Sequence, residues 1–74
     1  MNNIEAEENE AYEVAQAMEK YGGSFVKQLS KMIQTADIYN IRKCKSTWSE
    51  YWNEYKAVAE KSKIKKDDTV IISS

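Results

Sequence analysis

Five glutamates stand close together near the start of the chain, Glu5, Glu7, Glu8, Glu10 and Glu13. Paired carboxylates can trade a proton or hold a magnesium ion, but only where burial or a fixed geometry perturbs them. These five lie in a polar segment expected to fray, with nothing to desolvate them. Nor is there a partner for nucleophilic chemistry. The chain has no histidine, and no serine or cysteine stands beside a base in a known catalytic spacing. Cys44 is the only cysteine, which excludes an internal disulfide, and one thiol without imidazole cannot supply the four N/S ligands of a zinc site. No catalytic, metal or cofactor-binding residue is expected.

Gly22-Gly23-Ser24 is the remaining chemical candidate, because free N–H groups at a helix start can hold an anion. It follows no strand and precedes no P-loop lysine at the right spacing, so it reads as punctuation. Glycine at C′ would close one helix in a left-handed conformation, and Ser24 would cap the next.

The same charges can act as binding surfaces. Glu5, Glu7, Glu8, Glu10 and Glu13 are spaced over a few helical turns, favoured by the positive end of the helix dipole, and such a stripe can imitate a phosphate backbone. Lys27, Lys31, Arg42, Lys43 and Lys45 gather positive charge in the middle of the chain, the alternative footprint of a nucleic-acid binder. A net charge of −1 and a pI near 5.4 weigh against that alternative.

The elements that must position these groups are helical. Proline is absent, and Lys, Glu, Ala and Gln are abundant. Ala11, Val14, Ala15, Met18 and Tyr21 recur at helical spacing and predict a first helix from Glu10 to about Tyr21. Phe25, Val26, Leu29, Met32, Ile33 and Ala36 make the stripe of a second. Asp37 is the N-cap expected for a third, carrying Ile38, Ile41 and Cys44 on its apolar side, where an inert buried thiol is the usual outcome.

Thr47–Glu60 holds both tryptophans, with Trp48, Tyr51, Trp52, Tyr55, Val58 and Ala59 on one face. Thr47 and Glu50 have the spacing of a capping box, which predicts a break from the third helix near Ser46. The expected core anchors are Phe25, Leu29, Ile33, Trp48, Tyr51, Trp52 and Tyr55, although an aromatic face of this kind also suits a protein interface.

The expected fold is all-α: one bundle of three to four helices over residues 10–61, a frayed acidic segment over 1–9 and a flexible tail over 62–74. A 74-residue chain buries only about 60% of its unfolded surface, so a homodimer is one way to complete its core. The acidic start lacks the apolar region of a secretory signal, and no run reaches the ~18 apolar residues of a membrane span. With a free cysteine, this points to a cytoplasmic location.

Tyr21 to Tyr55 resembles a group of small uncharacterised proteins encoded by bacteriophages and prophages, which share Gly-Gly-Ser-Phe-Val, Ala-Asp-x-x-Asn, and an aromatic residue leading into Tyr-x-x-x-Tyr. Gly22, Gly23, Ser24, Phe25, Val26, Ala36, Asp37, Asn40, Trp48, Tyr51 and Tyr55 match. Ile38 and Ser49 stand where those proteins often carry proline. The resemblance covers about half of the chain; it implies a phage or mobile-element origin and the cytoplasm of a bacterial host, and brings no activity. The expectation for function is a non-catalytic protein that binds a host protein, inhibiting a nucleic-acid-handling or defence enzyme in the manner of anti-CRISPR and anti-restriction proteins. A nucleic-acid-binding protein and a homo-oligomeric structural phage protein are the alternatives.

Overall fold

The computed structural model describes the backbone of residues 3–73 and the side chains of residues 4–62. Four helices follow one another: α1 (Asn3–Tyr21), α2 (Ser24–Thr35), α3 (Ile38–Thr47) and α4 (Ser49–Ser73). α1 is the organising helix. It packs along α2 and α4 and more lightly on α3. The described backbone contains no strand, so the protein is a small all-α bundle.

Helical periodicity placed the core well. Ala11, Val14, Ala15, Met18, Val26, Leu29, Ile33, Ile41, Cys44 and Trp52 are buried in one cluster, with Trp48, Tyr51 and Tyr55 packed against it. The opposite face of α4 (Ser49, Glu50, Asn53, Glu54, Ala57 and Glu60) is exposed. One polar side chain enters the core. Ser30 is 0% exposed, and its Oγ donates to the Ala15 carbonyl at 2.8 Å while accepting from Gln34 Nε2 at 2.8 Å. A serine there lets α1 and α2 approach closely, with its one donor satisfied across the helix pair.

Several boundaries differ from expectation. α1 begins at Asn3 rather than Glu10, so the segment expected to fray is helical. Its first turns are held by ionic contacts to α3 and α4, which apolar periodicity cannot register. α4 likewise continues through Ser73 where a tail from residue 62 was expected. That stretch has neither the glycine nor the proline that would stop it.

The turn between α1 and α2 also works differently. Neither glycine takes a positive φ. Gly22 N–H donates to the Met18 carbonyl at 2.9 Å, and a Cβ at Gly22 would lie 2.3 Å from Val26 Cγ1 and 2.6 Å from the Met18 oxygen. Gly22 is there for close approach, not for handedness. Gly23, not Ser24, is the N-cap of α2, in extended conformation and with no side-chain cap.

Asp37 caps α3 as expected, accepting from the Asn40 N–H at 2.9 Å and from Asn40 Nδ2 at 3.0 Å. Thr47 does not open α4: it lies inside α3, and the capping box is not formed. The break falls on Trp48, at φ −111° and ψ 42°. Its N–H still donates to the Cys44 carbonyl and its own carbonyl still accepts from Trp52 N–H, each at 2.8 Å. α3 and α4 are thus joined by a one-residue hinge that keeps its hydrogen bonds.

Candidate functional site

The two charged clusters of the sequence meet each other. Glu7 and Glu10 lie three residues apart on α1, and Arg42 and Lys45 lie three apart on α3, so each pair shares a helix side and the two sides pack in register. Arg42 Nε donates to Glu7 Oε1 at 2.9 Å, and Lys45 Nζ sits 3.1 Å from Glu10 Oε2. Lys56 of α4 reaches Glu10 Oε1 at 3.8 Å, and Trp52 Nε1 donates to Glu10 Oε2 at 2.7 Å. Partial burial pushes the Glu10 carboxyl up, but the Trp52 indole and the Lys45 and Lys56 ammonium groups outweigh it and hold the group below the usual glutamate value. Lys45 also stands 5.8 Å from the centre of the Trp52 ring. This network is a clamp between helices, not an open binding surface.

The expected acidic stripe is therefore divided. Glu7 and Glu10 turn inward, Glu13 is half-buried, and Glu5 and Glu8 remain exposed, Glu8 lining with the exposed Tyr12 a groove that α1 forms with Ile33 of α2 and Ile41 of α3. Nor are the five basic residues brought onto one surface. Arg42 and Lys45 face α1, Lys27 and Lys31 lie on the outer face of α2, and Lys43 lines a groove between α2 and α3.

The aromatic face is the feature that packing does not use up. Phe25 meets Trp48 edge-on, with ring centres 5.5 Å apart at 68°, and Tyr51 at 5.7 Å; Trp48 and Tyr51 are 6.2 Å apart. Phe25 was expected as a core anchor, yet it is 54% exposed, and Met32, one face with it two turns on, is 44% exposed. Both sit at the border of the α2 stripe, displaced from the buried Val26, Leu29, Ser30 and Ile33. Trp48 and Tyr51 are half-buried. Leu29, Ile33 and Trp52 are buried as expected, and Tyr55 packs against the core. Beside the rings runs a groove of about 410 Å³ lined by Met32, Ala36, Lys43, Cys44, Thr47 and Trp48. Cys44 closes its floor, and burial pushes that thiol up, away from the reactive thiolate.

The sequence marked Phe25 as a core anchor and Met32 as part of a buried stripe, and their exposure is the departure from expectation. The available signal was phase: Phe25 and Met32 sit seven residues apart at the edge of a stripe already filled by Leu29, Ile33 and Val26.

Comparison of the chain with known protein families, with curated proteins and with solved structures finds no match. Among the described residues, no group of histidine, cysteine, aspartate and glutamate is placed to hold a metal ion, and no helix is long and apolar enough to cross a membrane.

Proposed function

We propose that this chain is a non-catalytic interaction protein whose working surface is the aromatic face of Phe25, Met32, Trp48 and Tyr51, and that its ligand is a protein. The observation that carries this reading is the half-exposed three-ring cluster beside an open groove. Rigid, interlocked aromatics present large apolar area at little entropic cost, which is what interface hot spots require. A protein fits better than nucleic acid, because Arg42 and Lys45 are already engaged by Glu7 and Glu10 and the pI is near 5.4.

A second surface supports the narrower reading of a phage-type inhibitor of a host nucleic-acid-handling or defence enzyme. α1 is helical from Asn3, so Glu5 and Glu8 are exposed on an ordered helix, and Glu8 borders a groove with Tyr12, which is 64% exposed. The resemblance of residues 21–55 to small phage proteins favours a bacterial host protein as the partner there.

The test is capture by the tagged chain, co-expressed with an untagged copy in bacteria and pulled down with and without nuclease. A protein that stays bound after nuclease treatment and is lost with Phe25→Ser is the expected result. Capture that vanishes with nuclease, or that ignores Phe25→Ser, would refute the aromatic face as the binding surface.

A further inference from the structure

α3 and α4 are written in the sequence as one helix. Ile41, Cys44, Trp48, Trp52 and Tyr55 recur at spacings of three, four, four and three, so the apolar phase runs through the bend without a shift. No glycine or proline stands between Ile38 and Ser73. The bend is confined to Trp48, at ψ 42°, whose N–H and carbonyl keep helical bonds to Cys44 and Trp52. A continuous helix would also pair the Ser49, Glu50 and Tyr51 N–H groups with the Lys45, Ser46 and Thr47 carbonyls, and among the described residues none of those three bonds is formed. Packing is what bends the chain. Ile41, Cys44 and Trp52 enter one core with Val14 and Met18 of α1, and the Glu10 carboxylate holds Lys45 before the bend and Trp52 after it. Local sequence and tertiary packing thus favour different shapes of one segment, and the switch between them lies in a single residue.

We infer that the Trp48 hinge opens into a continuous helix and that the chain then pairs with a second copy by exchanging α4. Opening within one chain would uncover Trp52, which is 1% exposed, and would take its indole N–H away from Glu10. A second copy opened in the same way supplies the identical surface. Each Trp52 then donates to Glu10 of the second copy, and each Lys56 approaches that same carboxylate. The exchanged pair repeats the contacts that α4 makes with α1 and adds the three missing helical bonds in each chain. Neither step calls on the aromatic face as a docking surface.

The experiment is refolding of the full chain from guanidinium at high protein concentration, followed by dilution and sedimentation velocity, beside Ser49→Pro. Proline suits the first position of α4 and removes only an N–H that has no backbone partner there, yet it forbids a helix running through residue 49. Should circular dichroism show that Ser49→Pro does not fold, two glycines inserted after Trp48 break the continuous helix instead. The wild type should give a dimer that survives dilution, because separating it requires α4 to leave a bundle. Copies carrying different tags should form mixed dimers when refolded together and not when mixed already folded. Ser49→Pro, or the insertion in its place, should lower the dimer yield by about tenfold or more. Three results would each overturn the inference: monomer alone after refolding at every concentration, a dimer that exchanges on simple mixing, or a yield unchanged by the folded hinge variant.

Discussion

The indole Nε1 of Trp52 donates to Glu10 Oε2 at 2.7 Å, joining the middle of α4 to the first half of α1 across 42 positions of sequence. Trp52 is 1% exposed, so its N–H has no water to turn to, and Glu10 is the acceptor that makes its burial tolerable. The same carboxylate gathers Lys45 and Lys56, so one side chain ties α1 to both α3 and α4.

Removing the carboxylate should expose that dependence. Glu10→Ala leaves a buried indole N–H unpaired and should cost about 1–3 kcal/mol in chemical denaturation, with Glu10→Gln costing less because an amide oxygen can still accept. The pH dependence has a defined sign. The folded pKa of Glu10 lies below its unfolded value, so its contribution is fully present above the ordinary glutamate pKa and is lost as the pH falls through the lowered folded value. Thermal unfolding across that acid range should show a shallower decline for Glu10→Gln than for the wild type.

The two tryptophans should behave differently. Trp52 is buried in the core cluster, and Trp52→Ala should cost about 3–5 kcal/mol, most of the stability of a domain this size. Trp48 only packs against that cluster, so Trp48→Ala should cost about 1–2 kcal/mol and leave a folded protein. Urea titrations followed by circular dichroism distinguish them, and equal losses would place Trp48 in the core after all.

Much of this fold was legible because burial follows helical phase. The stripes of α1, α2 and α4 predicted Val14, Met18, Leu29, Ile33 and Trp52 as core, and Asp37 announced the start of α3 by its capping chemistry. What phase could not show was anything decided between helices. The first turns of α1 depend on Arg42 and on the Glu10 clamp, and the burial of Ser30 depends on the Ala15 carbonyl opposite it. Tyr21 and Phe25 stand among the apolar stripes of the sequence, yet both are more than half exposed, Phe25 because it stands at the border of the α2 stripe, where its ring meets Trp48 and Tyr51. The acidic and basic clusters were each visible as charge; that two members of each face one another is a property of the packing alone.

That division makes the acidic side testable. Glu5→Lys with Glu8→Lys reverses two exposed carboxylates that have no ion pair among the described residues, and should change stability by less than about 0.5 kcal/mol while abolishing capture of any partner that reads the acidic start of α1. Glu7→Lys instead places like charges where Arg42 is bound, and should lower the melting temperature without being specific to binding. Unchanged capture by the Glu5/Glu8 variant would remove the acidic face from consideration.

The glycine pair offers the sharpest contrast. Gly22→Ala drives a Cβ into Val26 Cγ1 and into the Met18 carbonyl, a backbone atom that cannot move aside without opening the end of α1. A loss of about 1–3 kcal/mol is expected, as for other overpacked sites. At Gly23 a Cβ meets nothing within 4 Å, and φ −81° with ψ −167° suits any residue. α2 has no side-chain cap and no acidic residue in its first turn, so Gly23→Asp should supply both a hydrogen-bond acceptor and a favourable charge at the helix start. A gain of about 0.5 kcal/mol is expected, with reduced freedom of the unfolded chain acting in the same direction. Thermal melts of the two variants should therefore move in opposite directions, and a stabilised Gly22→Ala would mean that α1 and α2 are not in contact at this turn.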